Sequence, residues 1–512
     1  MKHPIRTAAL LCALALPAAA GDILSLKDGR VIEGPKMTRT QKGIELAYEH
    51  GTILIPTEMI LDAVLDSDSA LPPATDEERE MSTKGMVRFE GKWVRTSQRD
   101  EILKKRLDAR RADLEQMAAR KEWRNRGQQD TQHFHFEYTV PDPIFEGYRD
   151  LMEAYYTDFA KTWKLKSPGR DDRLNVSFHG DEETFHQVSG VGFGVLGYFR
   201  FVKPWDLNVF YERMDPNFTT EVMFHEANHY LQKLIELDFA VPHFPGESLA
   251  EYYGASHWDP EKKKLSTGLI LEGRLCEVQE DIVKGDFEPL DELVRTDRDY
   301  KHYTWGWSLV YFLMNDPRYQ PKFQKFVFTL ARGKGVLREP MGIANLQTVK
   351  GEEVFRIFRE ELGLKDVAAV KNLEREWYAY IQKLAPTSVS GLEQAGLSAA
   401  GNNRPLRATR LLKEAIEKGS RNPLVHARYA EVLAGKGRRL DAVEAWKKAI
   451  EIDPLNGKFY SSLGHTLLYG KKDAPSNAEA NRMIALGKDL GYDSPWIELD
   501  LEKSDEKGDG KN

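Results

Sequence analysis

His225-Glu226-Ala227-Asn228-His229 is the stretch of this sequence best equipped for chemistry. An α-helix turns about 100° per residue, so residues four apart lie one above the other on one face. Two imidazoles placed that way can take two corners of a tetrahedral zinc ion. Glu226 projects beside them, where a carboxylate can take a proton from a zinc-activated water. The chain has 13 His and 80 Asp plus Glu in 512 residues. Chance then gives the pattern about 0.05 times per chain, which disfavours a surface helix that merely carries two histidines.

The surrounding residues predict the helix that this pair needs. Thr219 or Thr220 can cap its start, and Val222, Leu231, Leu234 and Ile235 supply apolar positions. A catalytic zinc keeps three protein ligands and one open position. Downstream, Pro245 and Gly246 break the chain before a second helical pattern, Glu247-Ser248-Leu249-Ala250-Glu251-Tyr252. Glu247 falls 18 residues after His229, and Glu251 lies one helical turn further.

This arrangement resembles the gluzincins, the thermolysin-like and aminopeptidase-like zinc metallopeptidases. The resemblance implies that Glu247 is the third zinc ligand and that Glu251 orients His225 from behind. The metzincin pattern fails, because the Gly and third His it needs are Gln232 and Ile235 here. The chain is also similar to a bacterial family of unknown function with a peptidase MA-like domain. That likeness rests on His225 to Leu231, on Glu247 to Tyr252, and on Tyr303-Thr304-Trp305-Gly306-Trp307-Ser308-Leu309-Val310-Tyr311-Phe312-Leu313. It covers about residues 130 to 385 and departs at Ser248, where Gly is usual, and at Phe244, where Trp is usual. In aminopeptidase-like gluzincins a Tyr-x-x-Gly helix supplies a hydroxyl to the oxyanion, which implies that role for Tyr303, with His257 as second candidate. Arg274 is expected in a structural ion pair rather than on a substrate carboxylate. The Gly-rich segment 192–200 resembles the gluzincin edge strand that pairs with an extended substrate.

The remaining elements frame that site. Residues 1–20 read as a signal segment, with Lys2 and Arg6, an apolar run from Thr7 to Leu16, and an expected cleavage after Ala20. Cys12 lies too early in the run for a convincing lipoprotein site. Without Cys12, Cys276 has no partner for a disulfide, and it is expected as a small buried residue. Export without disulfides points to a bacterial periplasm or the exterior. Net charge is −7, or −9 once Lys2 and Arg6 leave, which gives no basic footprint for nucleic acid. No other apolar stretch is long enough to span a bilayer.

Residues 21–66 read as short strands around an Asp28-Gly29 turn, expected as a small β-barrel-like module. Residues 67–130 comprise a linker, a hairpin near Glu90-Gly91 and a charged helix from 97 to 126. Strict alternation from His133 to Val140 predicts a strand with His133 and His135 on an exposed face. The gluzincin-like domain is expected over 131–386, an α+β fold with a mixed sheet and the zinc helix. From 389 to 490 the sequence repeats at 34 residues, the tetratricopeptide period, which predicts three helix pairs in an α-helical solenoid. Residues 491–512 read as a charged tail. The resulting expectation is an exported zinc-dependent peptidase acting on a peptide or protein substrate, with a protein partner at the repeats as an option. The alternative is a catalytically silent, zinc-stabilised binding or scaffold protein acting through those repeats.

Overall fold

The computed structural model describes residues 22–65, 73, 75–89, 91–213, 215–259, 262–343, 345–468 and 474–492. The expected signal segment, residues 67–72 and 74 of the expected linker (67–82), the turn residue Glu90 and residues 493–512 lie outside the described residues, and the rest of that linker is largely helix. The chain is mixed α+β, 57% helix and 16% strand, and among the described residues none of the sheets is closed. It divides into two units, one ending at Gln116 and the other beginning at Met117.

The first unit holds strands β1 (Ile23–Leu26), β2 (Val31–Glu33), β3 (Lys36–Thr40), β4 (Gly43–Tyr48), β5 (Gly51–Pro56) and β6 (Ile60–Val64). Helix α1 (Asp76–Thr83), the hairpin β7 (Met86–Phe89) and β8 (Lys92–Arg95), and most of α2 (Thr96–Arg120) complete it. Gly29 supplies the positive φ of the expected β1–β2 turn. The expected barrel does not form. β1 pairs with β2 and β6 in one three-stranded sheet, while β3, β4 and β5 make another, and no strand belongs to both. The local alternation of apolar residues was legible, but closure depends on which distant strand β1 chooses.

The second unit begins with a five-stranded mixed sheet: β9 (Gly127–Asp130), β10 (Phe134–Tyr138), β11 (Leu174–His179), β12 (Gly197–Phe199) and β13 (Asp206–Phe210). The strand order is β12-β13-β11-β10-β9. The inner strands β10, β11 and β13 are parallel, and the edges β9 and β12 are antiparallel. The first parallel step crosses through α3 (Asp142–Trp163), which buries Phe145, Met152, Tyr155, Phe159 and Trp163 along one side. The second passes α4 (Glu182–Ser189). Neither histidine is fully exposed: His135 is half-buried on β10, and His133 is buried, with its ring stacked on Tyr156 at 3.6 Å and Nδ1 2.6 Å from Glu153.

From β13 the chain enters α5 (Pro216–Lys233), then α6 (His243–Gly254), the hairpin β14 (His257–Asp259) and β15 (Lys264–Ser266), α7 (Glu272–Lys284), α8 (Leu290–Arg295) and α9 (Lys301–Asn315). Helix α10 (Gln320–Arg332), strands β16 (Arg338–Pro340) and β17 (Gln347–Val349), α11 (Gly351–Leu362) and α12 (Val367–Lys383) close this part. One apolar core runs from Phe134 through Phe224 and Trp307 to Trp377. Six helices follow in pairs: α13 (Val389–Gly401) with α14 (Pro405–Glu417), α15 (Pro423–Gly435) with α16 (Arg439–Ile452), and α17 (Gly457–Leu468) with α18 (Ala474–Asp489). The first helices of successive pairs start at Val389, Pro423 and Gly457, each 34 residues apart. Small buried residues such as Ala408, Ala415, Ala430 and Ala442 let these helices pack closely. Among the described residues, no helix is long and apolar enough to cross a membrane.

Candidate metal centre

The cap of α5 is Asp215, whose side chain accepts from the Phe218 amide, and Pro216 fills the first helical position. Neither threonine caps the helix. Thr219 Oγ1 accepts from the Glu212 amide, and Thr220 Oγ1 donates to the Pro216 carbonyl. The apolar side of α5, with Met223, Phe224, Ala227, Tyr230 and Leu231, is buried in the core. Phe224 stacks on Tyr155 at 3.9 Å. That anchoring leaves His225 and Glu226 toward a cleft.

The second helix is fixed against the first by a buried polar chain. Asn228 Nδ2 donates to Tyr155 Oη (2.7 Å), and Gln232 Nε2 donates to Asn228 Oδ1 (2.7 Å) and to the Gly246 carbonyl (2.9 Å). Gln232 thus holds the backbone next to Glu247. On the other side, the Ser248 hydroxyl donates to the His302 carbonyl of α9 (2.8 Å). A Cβ on Gly306 would overlap that hydroxyl, so α6 and α9 pack this closely only because residue 306 is Gly.

These contacts bring His225, His229 and Glu247 into one cluster whose ligand atoms all lie within 4.8 Å of one another. Glu247 Oε2 is 3.3 Å from His225 Nε2 and 3.4 Å from His229 Nε2. Two ligand atoms each about 2.0–2.1 Å from a tetrahedral zinc are about 3.3–3.4 Å apart. The spacing and the donor set, two imidazoles and one carboxylate, fit that ion. Behind the cluster, His225 Nδ1 faces Glu251 Oε1 at 3.3 Å, which leaves Nε2 turned toward Glu247. Arg274 Nε donates to Glu251 Oε2 (2.8 Å), and Arg274 Nη1 donates to Tyr300 Oη (2.9 Å). Arg274 therefore stands in the expected ion pair.

Burial works against charge at each of these groups, and the neighbours overrule it. Glu247 and Glu251 hold the His225 imidazole well above its usual range. His229 and His225 hold the Glu247 carboxyl far below the carboxylate range, and His225 and Arg274 lower Glu251. The Tyr303 ring lies parallel to that of His225 at 6.2 Å. Burial, then the Glu247 charge, pushes its phenol well above 10, so the hydroxyl stays a proton donor.

A cavity of ≈ 520 Å³ opens beside the cluster at His225, lined by residues 194–197, Glu226, Tyr303 and Arg274 among others, while His229 and Glu247 line a separate, much smaller one. The expected edge strand is shorter than the Gly-rich segment, covering only Gly197–Phe199, but it is an edge. Gly197 faces α5: a Cβ there would collide with Val222 and come 3.5 Å from Glu226 Cγ. His257 is not brought to the site. It is exposed on β14 and does not line the cavity. Cys276 is buried on α7, with its thiol pushed up to about 11 by burial and by Glu272.

Sequence reading missed three neighbours. Glu221 lies one turn before His225 and lines the same cavity, where burial and then Glu251 push its carboxyl up to about 7. Its position four residues before His225 was the available signal. His243 and His302 form the second omission, with their Nδ1 atoms 2.7 Å apart. His302 Nε2 donates to the Leu293 carbonyl (2.9 Å), so its Nδ1 accepts from His243. No local pattern announces that pair. No protein-family model, no curated protein and no solved structure matches the chain.

Proposed function

We propose that this protein is a zinc-dependent peptidase of gluzincin type, related to the peptidase MA-like family, with tetratricopeptide repeats after its catalytic part. The observation that carries the reading is the near-equal approach of one Glu247 oxygen to both motif histidines, with Glu226 on the open side. His225, His229 and Glu247 would hold Zn²⁺, and Glu251 would orient His225. Bound there, the ion would supply Lewis acidity that polarises a peptide carbonyl and acidifies a water. Glu226 takes the proton from the attacking water and returns it to the leaving amine. The Tyr303 hydroxyl, kept protonated, donates to the developing oxyanion. The free edge of β12 offers backbone groups to an extended substrate. The pattern at residues 1–20 supports an exported site of action, in the periplasm or outside the cell.

A catalytically silent zinc protein would have no use for Glu226, which is not among the cluster residues. Glu226→Gln keeps the size of the side chain and removes the proton acceptor. We expect zinc content like that of the parent and peptide hydrolysis slowed by about 10²–10⁴, read by metal analysis and by mass spectrometry of a peptide library. Equal cleavage by parent and variant would defeat the mechanism. Zinc-loaded parent that cleaves nothing would favour the binding-protein reading.

A further inference from the structure

The cavity beside His225 has a neighbour. A second cavity of ≈ 480 Å³ shares Phe218, Glu221, Leu271 and Arg274 with it, so the two adjoin along α5. Phe218, Glu221, Val222 and His225 recur at helical spacing, and one face of α5 thus floors both cavities. The far wall comes from the repeats: Gln394, Leu397 and Asn402 on or just after α13, and Leu424 and Arg428 on α15.

That wall is held firmly. Arg407 of α14 pairs with Glu272 of α7, which is wholly buried. Arg404 Nη2 donates to Glu280 Oε2 at 2.9 Å. Helix α13 passes so near α7 that a Cβ on Gly273 would lie 3.2 Å from Ser398 Oγ. Distance then says which part of a substrate would meet it. Phe218 precedes His225 by seven positions, about 10 Å along the helix axis. An extended chain covers that in about three residues. The wall offers an amide that can both give and accept hydrogen bonds, apolar surface at Leu397 and Leu424, and the Arg428 guanidinium, which also pairs with Glu431 at 2.6 Å, a set suited to a polypeptide rather than a small anion.

We propose that helices α13 and α15 of the repeat region are the distal wall of the substrate cleft, and that residues more than about three positions from the scissile bond bind against Gln394, Leu397 and Arg428. This rests on the peptidase reading and adds the substrate class, an extended polypeptide longer than a tripeptide. The repeats are then part of the recognition surface of the enzyme.

The test uses the zinc-loaded full chain and a random decapeptide library. A cleaved sequence is shortened one residue at a time from each end, and kcat/KM is measured for each length. On one side of the bond, kcat/KM falls when the fourth and later residues are removed. The ratio of long-peptide to short-peptide kcat/KM falls at least about fivefold in Arg428→Glu and in Asn402→Trp. Zinc content identifies a variant that fails to fold, and the other then carries the test. A ratio equal to the parent's in the folded variants, or no dependence on length beyond three residues, overturns the wall. A parent that cleaves nothing counts against the peptidase reading alone. The wall is then read by decapeptide retention on the immobilised protein, which drops in both variants if the proposal holds and stays equal if it fails.

Discussion

Two histidine pairs flank Tyr303, and their surroundings differ in kind. On α5, His225 and His229 face the Glu247 carboxylate, and His225 has Glu251 behind it. Across the tyrosine, whose ring is 5.7 Å from His243, the His243–His302 pair ends on the neutral Leu293 carbonyl. His225 is held above its usual range by carboxylates, whereas burial pushes His302 down to about 4 and lowers His243. The same side chain is thus held toward its charged form in one place and is a neutral packing element in the other. The nearest acceptor decides which: a carboxylate rewards charge, and a buried carbonyl next to a second imidazole does not.

Zinc gives the widest separation between the two pairs. His225→Ala, His229→Ala or Glu247→Ala should lose nearly all of about one zinc per chain, while His243→Ala should keep it, as read by metal analysis of purified protein. A zinc-free His243→Ala chain would place His243 in the ligand set and end the contrast.

Acid comes next. His302 titrates at about 4 in the fold against its usual 6.5, so the folded state binds fewer protons between those values. Its stabilising contribution is complete above pH 6.5 and is lost as pH falls through 4. The loss is on the order of 3 kcal/mol. Protonation would also set two N–H groups against each other at His243. Denaturant melts from pH 7 to 4 should show a steeper decline for the parent than for His302→Gln, and parallel declines would count against the neutral pair.

Smaller effects test the support around the motif pair. Glu251→Gln leaves the three ligands in place but weakens the group that orients His225, and zinc affinity should drop by about 10- to 100-fold in chelator competition. An unchanged affinity would confine Glu251 to its pairing with Arg274. Gln232→Ala should cost least. It removes two buried hydrogen bonds, to the Gly246 carbonyl and to Asn228 Oδ1, about 1 kcal/mol of stability each. Zinc affinity should loosen by a few-fold, because Glu247 follows directly. A larger effect on zinc than that of Glu251→Gln would reverse the assumed order of support.

What could be read from the sequence was local or periodic. His225, Glu226 and His229 share a helix, and their relative placement follows from the rise and turn of that helix alone. The helix pairs of the repeats announced themselves by spacing, and the structure begins them at Val389, Pro423 and Gly457. Glu247 and Glu251 were reached through resemblance to known motifs, and the fold brings both to His225. Tertiary structure alone decided the rest. It paired β1 with β6 instead of closing a barrel, turned Arg274 onto Glu251, joined His243 to His302 across 59 positions, and set α13 and α15 along a cavity that adjoins the one at His225. The physical reason is common to all four. Each depends on which distant surfaces bury one another, and a helical or strand period fixes only the face a residue shares, never the partner that face will meet.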